Sequence, residues 1–177
     1  MKKILVLLIV CFLTGCTLLS NKPEDSVRSF LLKYKNNDKE VIDELDEYLT
    51  SENLENDVKE EYKKVYLRQY SNLRYEIKDS VINGDEATVQ VMITVYDYYK
   101  ENMLASDYYH DNMSEFVNDK GDLDLSKYLQ YRLNKLLTTD NDVSYTIDFK
   151  LNKVDDKWEM EPISVDTLEK IHGTYEY

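Results

Sequence analysis

Proline and glycine are scarce, two and four residues in a chain of 177. That excludes collagen-like repeats, Gly/Ser linkers and Pro-rich disordered chains. Positive charge is also short. Lys and Arg total 22 against 35 Asp and Glu, giving a net charge of −13 and a pI of about 4.6. A nucleic-acid-binding surface needs a basic face to neutralise phosphates, so no nucleic-acid partner is expected. Two cysteines, Cys11 and Cys16, and two histidines complete the short inventory. The chain has no Gly-rich phosphate loop, no serine nucleophile elbow, no HExxH pair and no CxxC. Nothing reads as a redox or zinc site, and no cofactor is expected.

The one long apolar run is Ile4 to Leu13, preceded by Lys2 and Lys3. Ten helical residues rise roughly 15 Å, about half a bilayer core, which is too short to span a membrane. The run has the dimensions of a secretory h-region. Leu13-Thr14-Gly15-Cys16 follows it. These four residues resemble the lipobox of bacterial lipoprotein signal peptides. The resemblance implies diacylglyceryl attachment and acylation (a palmitate-type anchor) at Cys16, with cleavage just before it. Two acyl chains hold a protein stably where one does not. Cys11 would leave with the leader. The expected division is a signal peptide at 1–15, lipidated Cys16 with a short spacer to residue 22, and one domain over 23–177. The mature charge would be −15, since residues 1–15 remove two lysines and no acids. The implied location is the cell membrane, lipid-anchored, with the domain on the extracytoplasmic face.

Beyond the spacer, apolar residues recur with helical period. Pro23 suits the first turn of a helix carrying Val27, Phe30, Leu31 and Tyr34 on one face, ended by Asn36-Asn37. Asp38 is placed to cap a second helix with Val41, Leu45, Tyr48 and Leu49 inward. A third is expected from about Glu52 to Ser71. Residues 38–61 hold eleven acids against two lysines, which reads first as a solvated helical face. The period then drops to two over Leu73–Val81 and Ala87–Val95, the mark of strands with one buried face. Residues on a shared face must pair, so a three-residue loop, Ile82 to Gly84, is predicted, with Val81 opposite Asp85 and Ile77 opposite Val89. Helical spacing returns around Tyr109 to Val117 and from Asp124 to Thr138. A second hairpin, Val143–Leu151 and Trp158–Met160 around Asp155-Asp156, precedes a short helix from Ser164 to His172 with Gly173 as its stop.

Helices segregated from an antiparallel sheet define an α+β fold. The order, with Tyr75 to Ile77, the Asn83-to-Val89 turn and strand, and Asp156-Lys157-Trp158-Glu159-Met160, resembles the nuclear transport factor two-like fold, in particular small Gram-positive lipoproteins. The resemblance implies a curved sheet of about four strands wrapped by helices. That fold hosts both enzymes and binding domains, so function has to come from a site.

Candidate site residues are few. Asp79 and Asp97 fall on strand positions that otherwise point inward, where a buried carboxylate could serve as general acid or base. Tyr62, Tyr66 and Tyr70 lie at i, i+4, i+8, while Tyr75, Tyr96, Tyr98 and Tyr99 cluster around the strands. Tyrosine combines an apolar ring with a polar hydroxyl, which suits a binding groove. Asp107, His110 and Asp111 could form a metal patch on a helix, and His172 reads as a cation favourable to a helix end. The function expected is a lipid-anchored, non-catalytic envelope domain binding a partner protein or a small envelope ligand. The alternatives are an envelope hydrolase or isomerase using a cone carboxylate, and a structural spacer with no ligand.

Overall fold

The computed structural model describes residues 22–52 and 54–177. Among the described residues, six α-helices and a four-stranded antiparallel sheet form an α+β fold. Helix α1 (Pro23–Lys35) starts on Pro23 with Glu24 and Asp25 in its first turn and lysines in its last, matching the helix dipole at both ends. Asn37 then takes a left-handed φ of 52°, and α2 (Lys39–Ser51) follows. Helix α3 (Asn56–Asn72) begins four residues later than the Glu52 start expected from sequence. Strands β1 (Arg74–Asn83) and β2 (Glu86–Tyr96) follow. Helices α4 (Tyr98–Asp111) and α5 (Leu125–Thr138) lie to either side of a 3-10 turn, Met113–Phe116. Strands β3 (Asp142–Val154) and β4 (Lys157–Met160) and helix α6 (Val165–His172) complete the chain.

The sheet runs β1-β2-β3-β4. Its inner face carries Val89, Val91, Ile93 and Val95 of β2 paired with Phe149, Ile147, Tyr145 and Val143 of β3. These meet Val27 and Leu31 of α1, Tyr70 and Leu73 at the end of α3, and Ile171 of α6. The outer face is polar: Thr94 and Ser144 hydroxyls stand 2.8 Å apart, and Gln90 Nε2 donates to Asp148 at 3.0 Å. A smaller apolar cluster, Val65, Tyr98, Leu133 and Leu136, joins α3, α4 and α5.

The first hairpin departs from the expected register. Its loop is two residues, Gly84-Asp85, with Asn83 opposite Glu86, and Ile77 pairs with Val91, not Val89. Gly84 has a φ of +64°, which the first central position of a type II′ turn requires. The parity problem is real, but it is solved inside the strand: register shifts between Ile77 and Asp79, leaving Lys78 as the extra residue of a β-bulge. Beyond the bulge β1 is largely solvent-facing, with Val81 58% and Ile82 56% exposed. The second hairpin turns on Asp155-Asp156, both at positive φ, as the even loop requires.

Candidate functional site

Helices α1, α2, α3 and α6 do not close completely on one another. Between them lies a cavity of about 300 Å³, walled by Tyr34, Tyr48, Tyr66, Tyr70, His172 and Leu168, with Glu44 and Glu169 as its carboxylates. The rings form a continuous chain. Tyr34 meets Tyr70 edge-on at 5.1 Å, and Tyr66 lies 6.3 Å from Tyr70. Tyr48, 46% exposed, closes the chain at the mouth, 6.4 Å from Tyr66. Tyr34 and Tyr70 are buried at the floor. This follows from local sequence: Tyr66 and Tyr70 are one helical turn apart on α3 and Tyr34 is on the buried stripe of α1, whereas Tyr48, expected inward, lies at the exposed edge of the Val41-Leu45-Leu49 stripe of α2.

His172 packs against both α3 rings, 4.9 Å from Tyr66 and 5.7 Å from Tyr70. Its Nε2 stands 2.9 Å from the Tyr70 hydroxyl. Desolvation lowers its pKa to about 4, so it is neutral at physiological pH. This corrects the expectation of a surface cation at the helix end. Burial and the charges of Glu44 and Glu40 push Tyr34 up to about 12, and burial raises Tyr66 and Tyr70 further, so all three hydroxyls stay protonated. Partial burial, then the neighbouring charge of Glu40, raises Glu44.

A clamp fixes the back of the site. Gln69, fully buried, donates Nε2 to the carbonyls of Tyr96 and His172, each at 2.8 Å, and accepts from Tyr96 N at 2.9 Å. It thereby ties α3 to the end of β2 and the end of α6. Gly173, left-handed at φ +70°, has no space for a Cβ: one would collide with Gln69 Nε2 and the Tyr96 carbonyl. A second cavity of about 110 Å³ lies alongside, sharing Tyr66 and Thr174 with the first and bordered by Tyr62, Tyr98 and Arg132.

The residues singled out from sequence are dispersed. Asp79 is exposed beside the bulge and accepts from Ser80 N. Asp97 is buried, but as the N-cap of α4: it accepts from Lys100 N at 3.0 Å and from the Tyr177 hydroxyl at 2.7 Å. Tyr98 and Tyr99 open α4 and do not extend β2, because Asp97 caps a helix there. Tyr98 is buried, donating to the Val65 carbonyl; Tyr96 lies under the Arg68 guanidinium, 3.8 Å from its ring centre. Tyr99 rests against Tyr177, and Tyr75 packs on the edge of the main core. Of these four tyrosines only Tyr98 borders one of the two cavities. Asp107, His110 and Asp111 are exposed on α4. Among the described residues no group of three or more His, Cys, Asp or Glu side chains could hold a metal ion. Cys16 lies outside the described residues, among which no helix is long and apolar enough to cross a membrane. The Tyr66–Tyr70 stripe was the sequence signal for the cavity. Tyr34, Tyr48, Glu44 and Glu169 gave none beyond ordinary helix patterning.

No family model matches this chain, and no curated protein does. Among solved structures it is similar to that of a candidate lipoprotein, YcdA, from Bacillus subtilis, at 17% identity and a TM-score of 0.43. The likeness covers 77% of this chain and 45% of that one, so it takes in less than half of the relative's length.

Proposed function

We propose that this protein is a lipoprotein of the cell envelope, anchored through Cys16, whose domain over residues 23–177 is a non-catalytic module binding a small envelope ligand in the tyrosine-walled cavity. The observation that carries the reading is the cavity itself. Small-molecule sites are concave, mostly apolar and aromatic, with a few polar groups to orient the ligand. Four tyrosines, one neutral histidine and two carboxylates match that description. The volume, about 300 Å³, suits a small molecule more than a protein segment. The lipobox, the short spacer and the positive leader support the anchor. Helices segregated over an antiparallel sheet support the nuclear transport factor two-like reading of the fold.

The test is a thermal-shift screen of the purified protein against cell-wall fragments and small envelope metabolites, run beside Val165→Trp. Val165 lines the cavity yet is 71% exposed, so the indole fills the mouth without disturbing the core. A ligand that raises Tm of the wild type and not of Val165→Trp supports the reading. Hits insensitive to Val165→Trp, or no hits, refute it.

A further inference from the structure

We propose that the ligand of this cavity is a small organic cation, a primary or quaternary ammonium ion held against the tyrosine rings with Glu44 and Glu169 as counter-charges. The inference rests on the binding reading above and names its ligand class.

The walls favour a cation in two ways. An aromatic ring carries negative charge on its face, and an ammonium within roughly 6 Å of its centre is attracted to it. Tyr34, Tyr48, Tyr66 and Tyr70 all line this one space, packed on one another edge-on or tilted. A merely apolar ligand would be served as well by leucine and valine. The second feature is charge. Among the described residues, two carboxylates and no lysine or arginine border the cavity. Neither Glu44 nor Glu169 has a side-chain hydrogen bond or ion pair among the described residues. Lys33, close enough to act on Glu44, is bonded to Glu40 at 2.6 Å. After burial, the charge of Glu44 also helps raise the Tyr34 and Tyr70 hydroxyls. His172 contributes no opposing charge. Among the described residues, an anionic ligand would meet Glu44 and Glu169 with no lysine or arginine lining the cavity to receive it.

Isothermal titration calorimetry of the purified protein tests this, with choline and its uncharged carbon isostere 3,3-dimethylbutan-1-ol as probes. The expected result is saturable choline binding, with the isostere about tenfold weaker or more. Tyr66→Leu, which keeps apolar bulk and removes the ring, and Glu44→Gln each weaken choline by about three- to tenfold while circular dichroism stays unchanged. An ammonium can be free or carried on a lipid headgroup, so glycerophosphocholine is titrated as well. Weaker binding than choline assigns a free cation, since an added phosphate is repelled by the cavity carboxylates; equal binding assigns a headgroup. Equal affinity for choline and the isostere overturns the cation assignment and leaves the binding reading standing. So does failure of both probes when the thermal-shift screen finds a Val165→Trp-sensitive ligand. Failure of both probes and of the screen overturns the two together.

Discussion

Replacing Gln69 by Met tests whether the back of the cavity is held as the hydrogen bonds imply. Methionine keeps the length and most of the volume, so packing is nearly conserved. What is lost is polar satisfaction. Tyr96 N–H, the Tyr96 carbonyl and the His172 carbonyl lose their side-chain partner at a fully buried position. Each buried group left unpaired costs about 1–3 kcal/mol. Three of them, partly relieved by shifts at the end of α6, give a loss of about 4 kcal/mol. That is a large share of a typical domain's total, roughly 5–15 kcal/mol. At about 2–4 °C per kcal/mol for a chain of this size, Tm falls by about 8–16 °C. Gln69→Glu should be worse still, because it presents a carboxylate to two carbonyls. The assay is urea unfolding followed by fluorescence of Trp158, the sole tryptophan, which is 8% exposed and lies in the main core. An unchanged m-value with a lower midpoint is the expected signature. A loss below about 1 kcal/mol for Gln69→Met would refute the clamp, since that is what one ordinary hydrogen bond contributes.

Three further outcomes follow from the same geometry. Gly173→Ala meets both a left-handed φ and a collision with Gln69 and the Tyr96 carbonyl, whereas Gly84→Ala has the same sign of φ and open space; the first should cost several kcal/mol and the second about 1 in the same urea assay, and equal costs would show that the close approach is not felt. His172 titrates near 4 folded and near 6.5 unfolded, so the unfolded chain takes the proton first; its contribution is complete above about pH 6.5 and is lost as pH falls to about 4, up to about 3 kcal/mol. His172→Gln should flatten the pH dependence of stability in that window, and parallel profiles would sink the assignment. Cys16→Ala should move the protein from the membrane fraction to the medium, with immunoblotting as readout; unchanged retention would remove the anchor.

Much of the fold was legible because its signals are local. Pro23 starts α1, Ser164 caps α6 and Gly173 stops it, each by chemistry contained within a turn or two. The inward faces of β2 and β3 followed from strict alternation. The first hairpin shows where such reasoning ends. Face-matching demands one extra residue between Tyr75 and Val95, but a longer loop and a bulge satisfy that demand equally. Alternation alone cannot place it at Lys78. Tyr98 and Tyr99 misled for a related reason: tyrosine favours strands, and here a side-chain cap on the preceding Asp97 outweighs that preference. The cavity was hardest to foresee. Tyr70 and His172, 2.9 Å apart at its floor, are 102 residues apart in the chain. Only the α3 half of the wall, Tyr66 and Tyr70, carries a pattern that a local reading can find.

Among the described residues, the two buried acids, Asp97 and Glu101, are satisfied, whereas Glu24 Oε2 is buried without a partner and Glu44 at the cavity is exposed. Glu101 accepts from Thr139 at 2.9 Å and Asn141 at 2.6 Å, and Asp97 accepts from Lys100 N and the Tyr177 hydroxyl. Glu44 and Glu169, at the cavity, have no such donors among the described residues. Glu44 also lies one helical turn from Glu40, a like-charge pair, and its pKa is raised, so the empty folded state disfavours its charge. The sign that follows is diagnostic. Glu44→Gln should stabilise the empty protein by a few tenths of a kcal/mol, about 1 °C in Tm, through relief of that repulsion. The same substitution should weaken the choline complex. A residue kept for structure would lose stability when neutralised, and one kept for neither purpose would leave binding untouched. A fall in Tm, or choline affinity equal to wild type, would therefore remove Glu44 from the site.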